Sequence, residues 1–273
     1  MTYTNKKILH LREKTNRKRS MKKIAIINQK GGSGKTTTAC NLGSGLSRLK
    51  KKILLIDLDP QSHLTKSLLG PRANEITGIY HFLSGRDPLG SLKVMISEHL
   101  DLIPSTMELA GVEVELMQEM GREFKLKDAL AKIRQYDYCF IDCPPSIGLL
   151  TVMALTAAQK ILIPLQVEYL ALDSVAKMME TIDLVKARLN KDLEILGVLA
   201  TRVDLRKRLN REILENARAY FKKRLFKTMI RENISLAEAP SFGQTIFEYS
   251  SMSHGSEDYM TLAREFLKKE RES

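Results

Sequence analysis

From Lys22 onward, apolar and polar positions fall into two alternating kinds of block. Short apolar runs at 23–28, 52–57, 100–104, 138–142, 160–164, 195–201 and 225–230 have the length of strands and little polar alternation. Between them, apolar residues recur every three or four positions over 36–49, 107–119, 124–135, 147–157, 170–189, 207–222 and 256–270. That is the period of a helix with one buried face. Strands that are apolar throughout are covered on both faces, and helices between successive strands supply the covers. The pattern predicts an α/β fold: a mostly parallel, twisted sheet with helices on both faces. No repeat or low-complexity linker breaks it, so residues 21–273 read as a single domain. Apolar residues make up 43% of the chain, enough for a large core, and no apolar run approaches the length of a membrane span.

Residues 1–20 break the pattern. They are polar and basic, with no apolar periodicity beyond Ile8, Leu9 and Leu11. They read as a mobile basic arm, or, since Met21 directly precedes the first strand, as an upstream extension that is not part of the protein. The net charge of +12 is concentrated. Residues 1–23 hold nine Lys or Arg against one acid, and residues 202–231 hold eleven against three. Two basic blocks on an otherwise acidic body point to a polyanionic partner, nucleic acid or anionic membrane. The three cysteines, Cys40, Cys139 and Cys143, lack metal-type spacing, and the chain has no signal-peptide core, which fits a reducing cytoplasm.

The stretch NQKGGSGKTT, residues 28–37, carries the chemistry. Gly34-Lys35-Thr36 ends as a phosphate-binding P-loop ends, and the order strand, glycine loop, helix places phosphates at a helix N-terminus. Gly31, Gly32, Ser33 and Gly34 would turn backbone amides toward the phosphates. Lys35 would reach the β/γ-phosphates, with the Thr36 hydroxyl on Mg²⁺ and Thr37 beside it. Two further apolar runs end in acids: ILLIDLD in Asp57 and Asp59, and CFID in Asp142. Ligands of open α/β sheets bind at the C-terminal strand ends. Mg²⁺ keeps most of its waters and takes few protein ligands, so one or two of these carboxylates suffice, with Asp142 in the Walker B place. The plainer reading of strand-end acids is that they form turns or cap helices.

The loop departs from the ordinary motif, with Gln29 where its first glycine would stand and Lys30 before Gly31-Gly32. K-G-G-x-G-K-T, together with DLDPQ at 57–61 and DCPPS at 142–146, resembles the deviant P-loop NTPases of the ParA/MinD family, over roughly residues 22–267. The resemblance implies ATP and Mg²⁺ as cofactors. It also implies a homodimer sandwiching two ATP molecules, with Lys35 acting in cis and Lys30 on the partner's nucleotide. It makes Lys30, Lys35 and Asp59 the catalytic set, Asp59 positioning water, and Thr36, Asp59 and Asp142 the metal set. Asp57 falls among the nucleotide-site residues, and Thr201, Arg231 and Asn233 stand where relatives contact the base. Two departures are visible: Ser62-His63 replaces the family's Gly-Asn after D-P-Q, and Ser235 stands where relatives carry an arginine.

MinD-like members bind membranes through a terminal amphipathic helix, whereas ParA-like members bind DNA without sequence preference. In the last helix, Tyr259, Leu262, Ala263, Phe266 and Leu267 form one face. Asp258, Glu257, Glu265, Glu270 and Glu272 offset its cations, so it reads as a core helix. In 207–224, Leu209, Ile213, Leu214, Ala217 and Phe221 form an apolar stripe. Arg208, Arg211, Arg218, Lys222, Lys223 and Arg224 lie off it, as phosphate contact requires. Arg206 joins them as the arginine of the family's D-x-R. The expectation is a ParA-like, nucleoid-associated partitioning ATPase with a weak intrinsic rate, stimulated by a ParB-like protein. The alternatives are a MinD/FlhG-like membrane-positioning ATPase and a metabolic P-loop enzyme.

Overall fold

The computed structural model describes residues 21–168 and 171–272; the basic arm over 1–20 lies outside them. The strands are β1 (Lys22–Ile26), β2 (Ile53–Asp57), β3 (Val94–Ser97), β4 (Leu100–Ile103), β5 (Tyr138–Asp142), β6 (Lys160–Gln166) and β7 (Glu194–Thr201). Among the described residues they form a seven-stranded sheet in the order β3-β4-β2-β5-β1-β6-β7. All pairings are parallel except β3 with β4. The longer helices are α1 (Lys35–Arg48), α2 (His63–Leu69), α3 (Lys125–Ala131), α4 (Leu149–Ala157), α5 (Ala171–Arg188), α6 (Arg208–Phe221) and α7 (His254–Glu272).

Successive strand residues feed opposite faces. Ile24, Ile26, Leu55 and Phe140 pack under α1, α2 and α7, while Ala25, Leu54, Ile56 and Ile141 pack under α3, α4, α5 and α6. The last helix docks as expected: Tyr259, Leu262, Ala263 and Phe266 are buried, and the helix lies against α1. Each large side chain so buried stabilises the fold by roughly 1.5–3 kcal/mol.

The structure revises three expected elements and adds two. Residues 225–230 do not form a strand. Leu225 bridges to Val198, and the amides of Phe226 and Ile230 reach the β7 carbonyls of Val198 and Ala200 at 2.9 Å. The amides of Lys227 and Thr228, however, donate to the Glu265 carboxylate on α7 at 2.8 Å each, which pulls the segment off the ladder. The helix expected over 107–119 is a 3₁₀ turn at Met107–Gly111 and one α turn at Val112–Glu115. Only Leu109, Val112 and Leu116 there reach the core, too few for a continuous face, while Val114, Met117 and Met120 are exposed. The antiparallel edge strand β3 and helix α2 were not expected. Helix α6 turns its stripe by one position: Leu209 is 49% exposed, and Asn210 is buried beside Leu214, Ala217 and Phe221.

The edge segment seats closely on β7 because residue 197 is glycine. A Cβ there would lie 2.6 Å from the Phe226 ring and 2.7 Å from the Arg224 carbonyl oxygen. Gly197→Ala is therefore expected to destabilise the protein by about 1–3 kcal/mol. The measurement is the denaturation midpoint, and the change should lie in stability with nucleotide affinity kept.

Candidate functional site

The P-loop lies between β1 and α1. Gly32 and Gly34 adopt left-handed conformations, φ 73° and 91°, which a Cβ would strain. Gly34 caps α1 with no side-chain hydrogen bond, so the first-turn amides face the loop's concavity. Thr201, at the end of β7, braces the loop from below: its hydroxyl donates to the Ser33 carbonyl at 2.8 Å. Thr36 and Thr37 follow on the half-buried first turn of α1. The Lys35 ammonium is buried, and its Nζ donates to the Lys30 carbonyl at 3.4 Å. Burial lowers its pKa, while Asp142, Cys143 and Asp59 pull it back up.

β2 and β5 pair with Asp57 opposite Asp142, so the three acids converge beneath the loop. They are not equivalent. One Asp57 oxygen accepts from the amide and hydroxyl of Thr65, at 2.8 and 2.7 Å, anchoring α2, and the other faces the Asp59 amide at 3.2 Å. Burial pushes Asp57 up to about 6 against those bonds. Asp59 Oδ1 accepts from the Gln61 amide at 2.9 Å, closing a turn. The turn-forming and helix-anchoring reading thus accounts for Asp57 and for half of Asp59. Asp142 differs: neither carboxylate oxygen has a hydrogen-bond partner of normal geometry, although both are buried. Burial and then the Asp57 carboxylate raise its pKa well above the usual range, against the pull of Thr36 and Lys35. A buried carboxylate without a donor, beside a threonine hydroxyl and a lysine under an open phosphate cradle, fits a hydrated divalent cation.

A cleft of about 520 Å³ opens beside the loop, lined by Gly34, Thr37, Thr201, Ile230, Asn233 and Leu236 among others. Arg231 also borders it, but its guanidinium is turned away. It forms a two-nitrogen pair with Asp258 and a 2.6 Å contact with Glu257, both on α7, which raise its pKa further. The Asn233 side-chain Oδ1 caps the short helix Ile234–Glu238 by accepting from the Ser235 amide at 2.8 Å. Only its side-chain NH₂ is left without a partner among the described residues.

Comparison with known proteins decides the family. A family described as "AAA domain" matches residues 21–195. The chain is 46% identical over 89% of its length to "Sporulation initiation inhibitor protein Soj" of Bacillus subtilis, covering 96% of that protein. It is 46% identical over 90% of its length to "Chromosome partitioning protein ParA" of Myxococcus xanthus, covering 88% of it. A crystal structure of cobyrinic acid a,c-diamide synthase from Mycobacterium smegmatis with bound ATP analog and magnesium is similar at TM-score 0.80. It shares 33% identity, and the match covers 92% of this chain and 96% of that one. The chain is a ParA/MinD-family P-loop ATPase.

Lys30, which carries its ParA/MinD character, has a partner that sequence reasoning missed. Lys30 points away from its own phosphate cradle and forms a 2.8 Å ion pair with Glu168, just beyond β6. Glu168 also accepts from Gln166. Ser62, where this family carries glycine, takes a left-handed conformation, φ 58°. That costs a non-glycine residue about 1 kcal/mol.

The basic face is gathered along α6 and just beyond it. Arg206 is 91% exposed at its side chain yet clamped on Asp204 by two nitrogens, at 2.9 and 3.0 Å, which holds that carboxyl down at about 2. Arg208 pairs with Glu212 at 2.7 Å, and Arg211 donates to the Leu205 carbonyl at 2.6 Å. Arg218, Lys222, Lys223 and Arg224 are exposed and have no carboxylate partner among the described residues. The expected basic residues thus divide into a group near the start of α6 engaged by carboxylates or a backbone carbonyl and an unpaired group at its end. No helix among the described residues is long and apolar enough to cross a membrane.

Asp57 and Asp142 bind protons more tightly in the folded chain than in the unfolded one. Their protonated forms therefore stabilise the nucleotide-free protein at acidic pH, and that stabilisation is lost as pH rises, for Asp57 through about 6. Asp142→Asn is expected to raise the thermal midpoint of the nucleotide-free protein at pH 8, by roughly 1–3 kcal/mol in stability. The difference should narrow toward pH 5, and Mg²⁺-dependent stabilisation by ATP should be lost. Thermal scans at the two pH values, with and without Mg·ATP, check each part.

Proposed function

We propose that the chain is a ParA-like partitioning ATPase that binds ATP and Mg²⁺ at residues 30–37. It closes into a homodimer in that state, holds non-specific DNA through its basic face, and lets go when a ParB-like partner stimulates hydrolysis. Carrying the reading is the run of unpaired, exposed cations at Arg218, Lys222, Lys223 and Arg224 on a chain with Soj and ParA relatives. Phosphate contact needs solvated charge free of competing carboxylates, and it needs no base-reading element.

Each residue takes a role that its surroundings support. The amides of Gly31 to Thr36 cradle the phosphates, and Lys35 neutralises them from below. Thr36, Asp59 and Asp142 would hold Mg²⁺ through its water shell; when bound, the ion screens the phosphate charge. Asp59, its second oxygen uncommitted, orients the attacking water. Thr201 supports the loop, and the Asn233 NH₂ and the Arg231 backbone border the base. Lys30 crosses to the partner's phosphates, exchanging Glu168 for a second nucleotide. Two protomers then present two basic faces together, and linked weak sites can exceed either one by about 10²–10⁴.

Lys30→Ala is expected to abolish the ATP-dependent dimer in light scattering while keeping ATP binding; an intact dimer with full turnover would refute the trans role. In binding to random-sequence duplex DNA, the ATP state should bind with a steep negative salt slope, and the ADP and nucleotide-free states should not. Reversing Lys222, Lys223 and Arg224 together should flatten that slope by about 2–3 units. Binding to anionic vesicles in place of DNA would instead favour the MinD-like reading.

A further inference from the structure

The last helix counts as nearly balanced in charge, but four of its five carboxylates are engaged with other segments. Glu257 and Asp258 hold Arg231. Glu265 takes the Lys227 and Thr228 amides and the Thr228 hydroxyl. Glu270 is buried in a double ion pair with Lys22 and Lys160, at 2.6 and 2.8 Å. Arg264, Lys268 and Arg271 are left exposed, spaced four and three residues apart and so on one face of α7, with no carboxylate partner among the described residues. Lys269 lies beside them, its ammonium over the Phe226 ring and donating to the Lys223 carbonyl at 3.0 Å.

Through Lys268 this face borders a groove. A cleft of about 740 Å³ runs along the sheet edge between the end of α6 and the C-terminal half of α7. Arg218, Lys222, Lys223 and Lys227 stand on one side, and Lys268 and Lys269 on the other. Beyond α7 a second cleft of about 670 Å³ continues the cationic surface through Arg264, Lys268 and Arg271 to Lys51 at the end of α1. Glu272 is the one exposed acid bordering both.

We propose that α7 is a second phosphate-contacting element: a DNA backbone strand lies along the edge groove with Lys222, Lys223 and Lys227 on one side and Lys268 on the other. The track continues over Arg264 and Arg271. The inference rests on the DNA-binding reading and extends it to a helix whose composition hid it. It also supplies cations to a chain with Ser235 in place of the family's arginine. A nucleic-acid backbone suits the surface better than a lipid bilayer does. An interfacial helix presents large apolar side chains beside its cations, and none of the exposed large apolar residues lies on α7.

The test compares the unsubstituted protein, Arg264→Gln/Lys268→Gln/Arg271→Gln, and a control with the same kind of charge removal elsewhere, Lys132→Gln/Arg134→Gln. Each is titrated with random-sequence duplex DNA in a non-hydrolysable ATP analogue over a salt series. Removing one phosphate-neutralising cation lowers the slope of log affinity against log salt by about 0.9. The triple variant should therefore show a slope shallower by about 2–3 units and an affinity ten-fold or more weaker, while the control keeps its slope and both retain thermal stability. A triple variant with the parental slope would overturn the α7 track and leave the DNA reading standing. A parent that binds no DNA in any state would overturn both. Unchanged DNA binding, together with abolished binding to phosphatidylglycerol vesicles, would give the face to a membrane instead.

Discussion

Four ionisable groups are buried under one loop: Lys35, Asp57, Asp59 and Asp142. Removing carboxylates from water is costly unless each finds donors or an opposite charge. The fold meets that demand unevenly. Thr65 satisfies Asp57, the Gln61 amide takes half of Asp59, and Lys35 supplies a single positive charge to the group. Asp142 remains without a donor. The apolar runs of β1, β2 and β5 support this arrangement, because their parallel register sets Asp57 opposite Asp142 at the strand ends. The site is thus an unbalanced cluster of charge held in place by a hydrophobic sheet, and a phosphate-bound cation has the right sign to relieve it.

Much of this could be read from the chain alone, for identifiable reasons. Central strands buried on both faces have to be apolar throughout, so six of the seven strands stood out. β3 did not, because VMIS alternates half-buried and exposed positions at an edge. Residues 225–230 looked like a strand because their apolar content matches one. A carboxylate far along the chain, Glu265, takes two of their amides, and no local pattern encodes that. The P-loop and the strand-end acids were visible because backbone geometry demands glycine and metal chemistry demands carboxylates. Which acid stays unpartnered was not visible, since Thr65 satisfies Asp57 through the packing of α2. Glu168 was missed because nothing near it in sequence announces a partner for Lys30.

Charge tallies proved the least faithful guide to the surface. Counting residues treats a carboxylate as cancelling whichever cation is near it in the sequence. In α6 that holds in part, since Glu212 pairs with Arg208. In α7 it fails, because four acids point into the molecule or grip the neighbouring segment while Arg264, Lys268 and Arg271 face out. A helix that is neutral by composition is therefore strongly polar across its section. The electrostatic character of such a surface follows from the hydrogen bonds made on its buried side.

β7 holds two things at once. Its last residue, Thr201, is bonded to the P-loop, and the segment pinned by Val198 and Ala200 along the same strand leads out of the basic turn at 222–224. Only a few residues of extended, doubly covered backbone separate the two attachments, and such backbone neither bends nor slides easily. The nucleotide cradle and the cationic edge are consequently mounted on one stiff rail with no hinge between them. A chain built this way is poorly suited to switching its grip by changing its own shape. In the dimer proposed above, what nucleotide would alter readily is how two such rails are aimed with respect to each other, which makes the angle between protomers the natural variable of control.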